Sequence, residues 1–290
     1  MKRNNLILGI FGFVLVIYLT SAMAAPPDIP GHMHLKWLKF DKMPTISGYY
    51  GITSISLDEL NADIASAGLA EVRIGGTEYA LLDTVDRIIR FKSDYFSLAN
   101  ISNDLGSKAE ANEFSLKQWK IGAEGDQGYG YLFGGSPEAA SLVLYHSGGI
   151  HLSKISIEDY AANAIDSTRL VSFEDKWRFG QMMEAGAKMK ITPLVSVDIS
   201  YERSLVFPRF LVWKYAGSAA IEGIMQVALN EFVDKILKAS PYAAPIVNFA
   251  LKNASTYGLY ELRKEKMNYP FKSYAPLVND TFKMGLTFTF

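Results

Sequence analysis

The sequence predicts an all-β antiparallel transmembrane barrel of about eight to ten strands with helical insertions, and three observations carry that prediction. First, two adjoining runs alternate along their whole length. Phe179, Met183, Ala185, Ala187, Met189 and Ile191 oppose Gly180, Glu184, Gly186, Lys188, Lys190 and Thr192, and Val195, Val197, Ile199, Tyr201, Leu205 and Phe207 oppose Ser196, Asp198, Ser200, Glu202 and Ser204. These runs exceed the usual strand of about 5–6 residues and suit the roughly 9–11 that cross a bilayer at a tilt. Second, Thr281 to Phe290 places Phe282, Met284, Leu286, Phe288 and Phe290 on one face and Thr281, Lys283, Gly285, Thr287 and Thr289 on the other, the mark of a strand with one face in an apolar medium. Third, beyond the N-terminal segment no apolar run is long enough for a spanning helix, because Lys214, Glu222 and Glu231 interrupt the best region. A membrane form must then be a closed barrel, in which every backbone group is paired. The alternative is a soluble periplasmic α+β protein whose antiparallel sheet has one wet face.

Taken in order, the chain opens with Lys2 and Arg3, an uncharged apolar run from Leu6 to Leu19, and the small residues Ser21-Ala22-Met23-Ala24-Ala25. This is the pattern of a secretory signal peptide over residues 1–24, cleaved near Ala24, leaving residues 25–290 as a single barrel domain. With no cysteine in the chain, a disulfide framework and a lipidated cysteine are excluded. Lys and Arg number 29 against 30 Asp and Glu, so charge makes no case for a nucleic-acid partner.

Residues 25–110 read as a mixed segment. His32 and His34 lack a third ligand nearby, so no metal site is assigned; Trp37 and Phe40 among lysines suit an interface. Ile46 to Ile55 reads as a glycine-rich strand. Ser56-Leu57-Asp58-Glu59 has capping-box form and opens a short helix through Leu60 and Ile64. Val72 and Ile74 alternate in a short strand, and Leu82, Val85 and Ile89 return to helical spacing. From Phe114, Trp119, Ile121 and Ala123 alternate with Lys120, Gly122 and Glu124, and Tyr129, Tyr131 and Phe133 keep the phase. That is one long strand or a hairpin turning at Gly125 to Gly128. Short strands follow at Leu142–Tyr145 and Ile150–Ile157.

For the two long runs to share an apolar side, their loop must hold an odd number of residues. A three-residue loop, Thr192-Pro193-Leu194, sets Lys188 opposite Asp198 but Glu184 opposite Glu202; a five-residue loop removes that repulsion and pairs Lys190 with Asp198. Residues 208–280 form a helical insertion before the last strand. Ile221, Ile224, Ala228, Phe232 and Ile236 make one stripe, with Glu222, Asn230 and Asp234 opposite. Ser240-Pro241 ends this helix and Pro245 begins another. Since short turns lie on the periplasmic side of such barrels, the insertion belongs on the outer side or in the barrel mouth, as two helices packed on each other or as a plug.

The final strand and its terminal Phe290 resemble the C-terminal targeting signal of bacterial outer-membrane β-barrel proteins. The resemblance implies the bacterial outer membrane as location, with the periplasm as alternative, and outer-membrane lipids and the barrel assembly machinery, through Phe290, as partners. One pattern has chemical content. His151 and Ser153 lie two apart, so on a strand they share a face and a hydroxyl can give its proton to an imidazole. This H-x-S spacing resembles the catalytic pair of outer-membrane phospholipase and of lipid A deacylase, and implies a lipid hydrolase with His151 and Ser153 as catalytic residues. Lys154 stands where the phospholipase commonly has Asn, and Glu158 and Asp166 are the nearby acids. Gly128-Tyr129-Gly130 and Gly75-Gly76 lack the context of a phosphate loop, and no cofactor is assigned. Trp119, Tyr129, Tyr131, Trp177, Tyr201 and Trp213 read as interface girdle or core, and Glu184, Lys188, Lys190, Asp198 and Glu202 as facing a lumen. The expected function is therefore an outer-membrane barrel with a structural, pore or binding role, the lipid hydrolase being the alternative.

Overall fold

A computed structural model describes residues 42–58, 60, 64–82, 85–106, 114–134, 139–159, 170–271 and 273–290. The signal-peptide, His32, His34, Trp37, Phe40, Glu59 and Asp166 readings lie outside them. Among the described residues eight antiparallel strands close on themselves: β1 (Met43–Leu57), β2 (Ala67–Leu82), β3 (Val85–Ser102), β4 (Ser115–Leu132), β5 (Ser141–Asp159), β6 (Trp177–Lys190), β7 (Val195–Val206) and β8 (Leu277–Thr289). The last strand pairs with the first from Thr45 opposite Thr289 to Leu57 opposite Leu277. Closure removes both sheet edges, and the fold is the all-β barrel, not the α+β architecture.

The β2–β3, β4–β5 and β6–β7 connections are short and lie at one end, the turn end, together with the start of β1 and residue Phe290. The other four connections lie at the opposite, loop end.

Residues 43–102 are three strands where a mixed segment is expected. Ser56 and Leu57 finish β1 instead of capping a helix. Leu82 pairs with Val85, with a register irregularity at Leu81 and Leu82; two strands paired back on each other reproduce helical spacing by coincidence. β4 runs straight through Gly125 to Gly128, and β5 unites the two short candidates through Gly148-Gly149.

The β6–β7 turn takes the three-residue form. Ile191 N–H donates to Val195 O at 3.0 Å, and Val195 N–H donates to the Thr192 hydroxyl at 3.0 Å. Lys188 accordingly faces Asp198, and Glu184 faces Glu202.

The 208–280 insertion holds α1 (Val212–Ala239) and α2 (Ala244–Glu265), joined by a 3-10 turn at Pro241–Ala243. It is a hairpin, and it neither plugs the barrel nor sits beyond the loop end. It lies along the outside of the wall. Near the loop end, Ile150, Phe179, Met183, Leu205 and Val278 point outward and cluster with Tyr215, Tyr260 and Met267 of the insertion. Near the turn end, the Tyr131 hydroxyl donates to the Tyr242 carbonyl at 2.7 Å. The expected packing stripe, which Met225, Leu229 and Val233 widen, holds only in part: Val233 is buried and Asp234 exposed. Ile221, Ile224 and Phe232 are exposed, while Gln226 and Asn230 accept hydrogen bonds from the buried Lys252 of α2.

The barrel interior is layered. At the loop end Ile55, Leu69, Ile101, Leu116, Ile155, Val206 and Leu277 close it with Phe114, Leu170 and Phe173. Below this apolar cap lies a layer of hydrogen-bonding side chains, then a layer of charges. Ile89, Phe91, Leu132, Val143 and Tyr145 form a second apolar cluster nearer the turn end.

Candidate functional site

The central charged layer is built by the strand period. Glu71 and Arg73 on β2, Lys120, Glu124 and Asp126 on β4, Glu184 and Lys188 on β6, Asp198 and Glu202 on β7, and Lys283 on β8 all occupy inward positions and are buried. Lys283 Nζ lies 2.8 Å from Glu71, 2.9 Å from Glu184 and 2.5 Å from Glu202. Arg73 donates to Glu71 at 2.8 Å and to Glu184 at 2.6 Å. Its guanidinium sits between the rings of Tyr49 and Tyr95, 4.4 and 4.5 Å from their centroids. Lys120 binds Glu202 at 2.5 Å, and Lys188 lies 3.2 Å from Asp198 and 3.8 Å from Asp126. Three tyrosines add hydrogen bonds to the network. Tyr95 accepts from Arg73 at 2.7 Å and donates to Asp126 at 2.8 Å, Tyr49 donates to Asp198 at 3.1 Å, and the Tyr145 hydroxyl lies 2.8 Å from both Glu184 and Asp198.

The register that puts Glu184 opposite Glu202 is thus tolerated because both carboxylates bind the same lysine. Of this cluster, Glu184, Lys188, Asp198 and Glu202 are foreseen as lumen-facing. Glu71, Arg73, Lys120, Glu124, Asp126 and Lys283 escape notice as partners; charges two apart with an apolar residue between, as in Glu71-Val72-Arg73, are the signal that marks them.

The hydrogen-bonded layer contains the His151–Ser153 pair, which the structure brings together inside the barrel. Asn279 donates to Gln118, Gln118 donates to the Ser153 hydroxyl, and Ser153 Oγ lies 2.9 Å from His151 Nδ1; the first two links are also 2.9 Å. Which of the two donates in the Ser153–His151 contact depends on the ring's tautomer, and the buried His151 Nε2 has no hydrogen-bond partner among the described residues. The ring lies over Gly180, where an added Cβ would sit 2.1 Å from His151 Cε1. Both residues are 0% exposed. No carboxylate of the described residues hydrogen-bonds the ring.

The interior cavity near the turn end, lined by residues including Ser47, Tyr49, Arg73, Tyr95 and Lys188, measures about 10 Å³. That is room for about one water molecule. The layer of charges acts as a cross-brace between strands.

Fold and interior together define a closed eight-stranded antiparallel barrel whose lumen is filled by its own side chains. Among solved structures, the chain is similar to Neisserial surface protein A (NspA), with 10% identity, 85% of this chain and 97% of that chain covered, and a TM-score of 0.42. It is also similar to Ail, the attachment invasion locus protein of Yersinia pestis, with 10% identity, 87% and 100% covered, and a TM-score of 0.32. The outer membrane protein OprG from Pseudomonas aeruginosa follows with 10% identity, 86% and 96% covered, and a TM-score of 0.31. No family model matches the chain. No curated protein matches it in sequence.

Proposed function

We propose that the chain is an integral barrel of the bacterial outer membrane with an anchoring or binding role, carrying its loops on the outer side and its tight turns on the periplasmic side. One observation carries the reading. Ile46, Tyr50 and Ile52, Val72 and Ile74, Phe96 and Leu98, Trp119 and Ile121, Ile199 and Tyr201, and Phe282 to Phe288 on alternate positions turn outward and are exposed, while Glu71, Arg73, Lys120, Glu124, Asp126, Asp198, Glu202 and Lys283 of β2, β4, β7 and β8 turn inward and are buried. Outward-facing charges keep to the two rims: Asp94 with Lys42 at the turn end, and Lys117 with Asp104, Lys154 with Asp175, and Arg203 with Asp280 and Glu261 at the loop end. An apolar band between polar rims, on a sheet with no edge, is what the hydrocarbon layer requires. Outer-membrane lipids are the partners of this band, and Phe290 is the contact offered to the assembly machinery.

The filled interior favours anchoring or binding over a pore. The lipid-hydrolase reading requires the Ser153 hydroxyl to meet an ester, and its burial in the lumen supplies no such access. The expected result is recovery with outer membranes, heat-modifiable migration on a gel, and no steady ion conductance from purified protein in planar bilayers. Recovery in the soluble periplasm would sink the membrane reading, and reproducible ohmic channels would replace anchoring by transport.

A further inference from the structure

The α1–α2 hairpin has its polarity the wrong way round for a helix pair in water. Along α1 from Val212 to Ala228 the exposed positions are Val212, Trp213, Ala216, Ala220, Ile221, Ile224, Val227 and Ala228, with Trp213 at 88% and Ile224 at 73% exposure. Along α2 the exposed positions are Ile246, Ala250, Ala254, Tyr257, Gly258, Leu262 and, at its end, Glu265. The polar groups point the other way, into the seam between the helices and the wall. Lys252 donates to Gln226 at 2.7 Å and Asn230 at 2.5 Å. Arg263 donates to Glu222 at 2.6 Å and to the Met267 carbonyl at 2.7 Å. Glu222 in turn lies 3.4 Å from Gln181 of β6.

The wall beneath is also exceptional. Gln127 and His146 are direct cross-strand partners on β4 and β5. With Gln181 they place polar side chains on the outer face of the wall, and there the hairpin lies: α2 packs on β4, β5 and β6. Exposed charge on the hairpin gathers at its ends, with Glu231, Asp234, Lys235 and Lys238 beside the turn end and Glu265 and Lys266 beside the loop end. Between these ends the apolar exposed row of α1, Val212 to Ala228, spans about 25 Å at 1.5 Å per residue, the height of the apolar band of a transmembrane barrel.

We infer that the hairpin lies in the lipid layer, its outer faces against acyl chains and its polar seam sealed against the barrel wall, so that helices and strands together form one lipid-facing surface. The occupant of the exposed faces is the hydrocarbon interior of the bilayer, because these faces continue the apolar band of the wall. This inference rests on the membrane reading of the barrel. No helix among the described residues is long and apolar enough to cross a membrane by its mean hydropathy. A helix with one face on a polar seam does not reach such an average, and α1 crosses only as part of the wall.

The chain contains no cysteine, so single cysteines report position directly. Ile224→Cys, Phe96→Cys on the bare wall and Lys238→Cys at the hairpin end are each labelled with an environment-sensitive fluorophore and reconstituted in vesicles containing lipids brominated at mid-chain. The expected result is several-fold quenching at positions 224 and 96 and little at 238. Quenching at 96 without quenching at 224 overturns the hairpin inference and leaves the barrel in the membrane. Quenching at neither overturns both. A label at 224 shielded from brominated lipid and from a water-soluble quencher alike would mean a second copy of the chain on this face, and also overturns the inference. Val227→Cys serves as the second hairpin position if Ile224→Cys does not refold.

Discussion

Among the described residues, Lys283 is the one cation within ion-pair distance of Glu71, Glu184 and Glu202 at once. Breaking a buried ion pair by removing one partner costs about 3–5 kcal/mol, since the surviving charge stays desolvated and unpaired. Lys283→Met is therefore expected to lower stability by about that amount, read as a fall in the urea midpoint of the heat-modifiable folded band. Adding Glu202→Gln should restore part of it. An unchanged midpoint in Lys283→Met would mean the network braces nothing. These partners were hidden from the sequence by distance along the chain: Lys283 is 81 residues from Glu202 and 212 from Glu71. Local reasoning registers the repulsion of Glu184 and Glu202 across a short turn but cannot see the cation that cancels it. His151 and Ser153 were legible as neighbours because a period of two suffices to place them together. Their burial depends on Gln118, Asn279 and Gly180 from three other strands.

Among the elements, β6, β7 and β8 were readable because large apolar residues hold one face and charges the other. β1 is legible over Ile46 to Ile55 and β2 only at Val72 and Ile74, while β3 is not read as a strand; outward positions that include Gly48, Ala70 and Gly76 and inward positions that mix Thr45, Ser47, Tyr49 and Arg73 keep the contrast between faces low. The α1–α2 hairpin was legible as helices, but its facing only in part. The stripe rule assumes that apolar means inward, and Ile224 and Phe232 point out. The hairpin also covers wall positions unsuited to lipid. Replacing residues 209–275 by a short glycine-serine loop is expected to reduce refolding yield in lipid vesicles, because Gln127, His146 and Gln181 lose their cover and polar groups facing hydrocarbon are costly. Adding His146→Leu and Gln181→Leu to that shortened chain should recover yield. Failure to recover it would show that the helices contribute something other than cover for the polar wall.

On the scale of the whole molecule, assembly and stability are separable at Phe290. Its backbone N–H donates to the Pro44 carbonyl at 2.9 Å, but its side chain is 66% exposed and braces no part of the interior. Deleting Phe290 should therefore leave refolding into detergent almost unchanged while reducing the folded fraction recovered from outer membranes of cells. Equal recovery with and without Phe290 would count against its reading as an assembly signal.

Glu184 and Glu202 face each other across β6 and β7, and the cations that neutralise them belong to β8, β2 and β4. An isolated β6–β7 hairpin is charged against itself, and a sheet still lacking β8 lacks the lysine that bridges the two carboxylates. The last strand brings the missing edge and the missing counter-charge in one step. Partial barrels are disfavoured twice, by unpaired backbone and by unpaired carboxylates, so folding intermediates short of closure stay sparsely populated and the eight strands commit together.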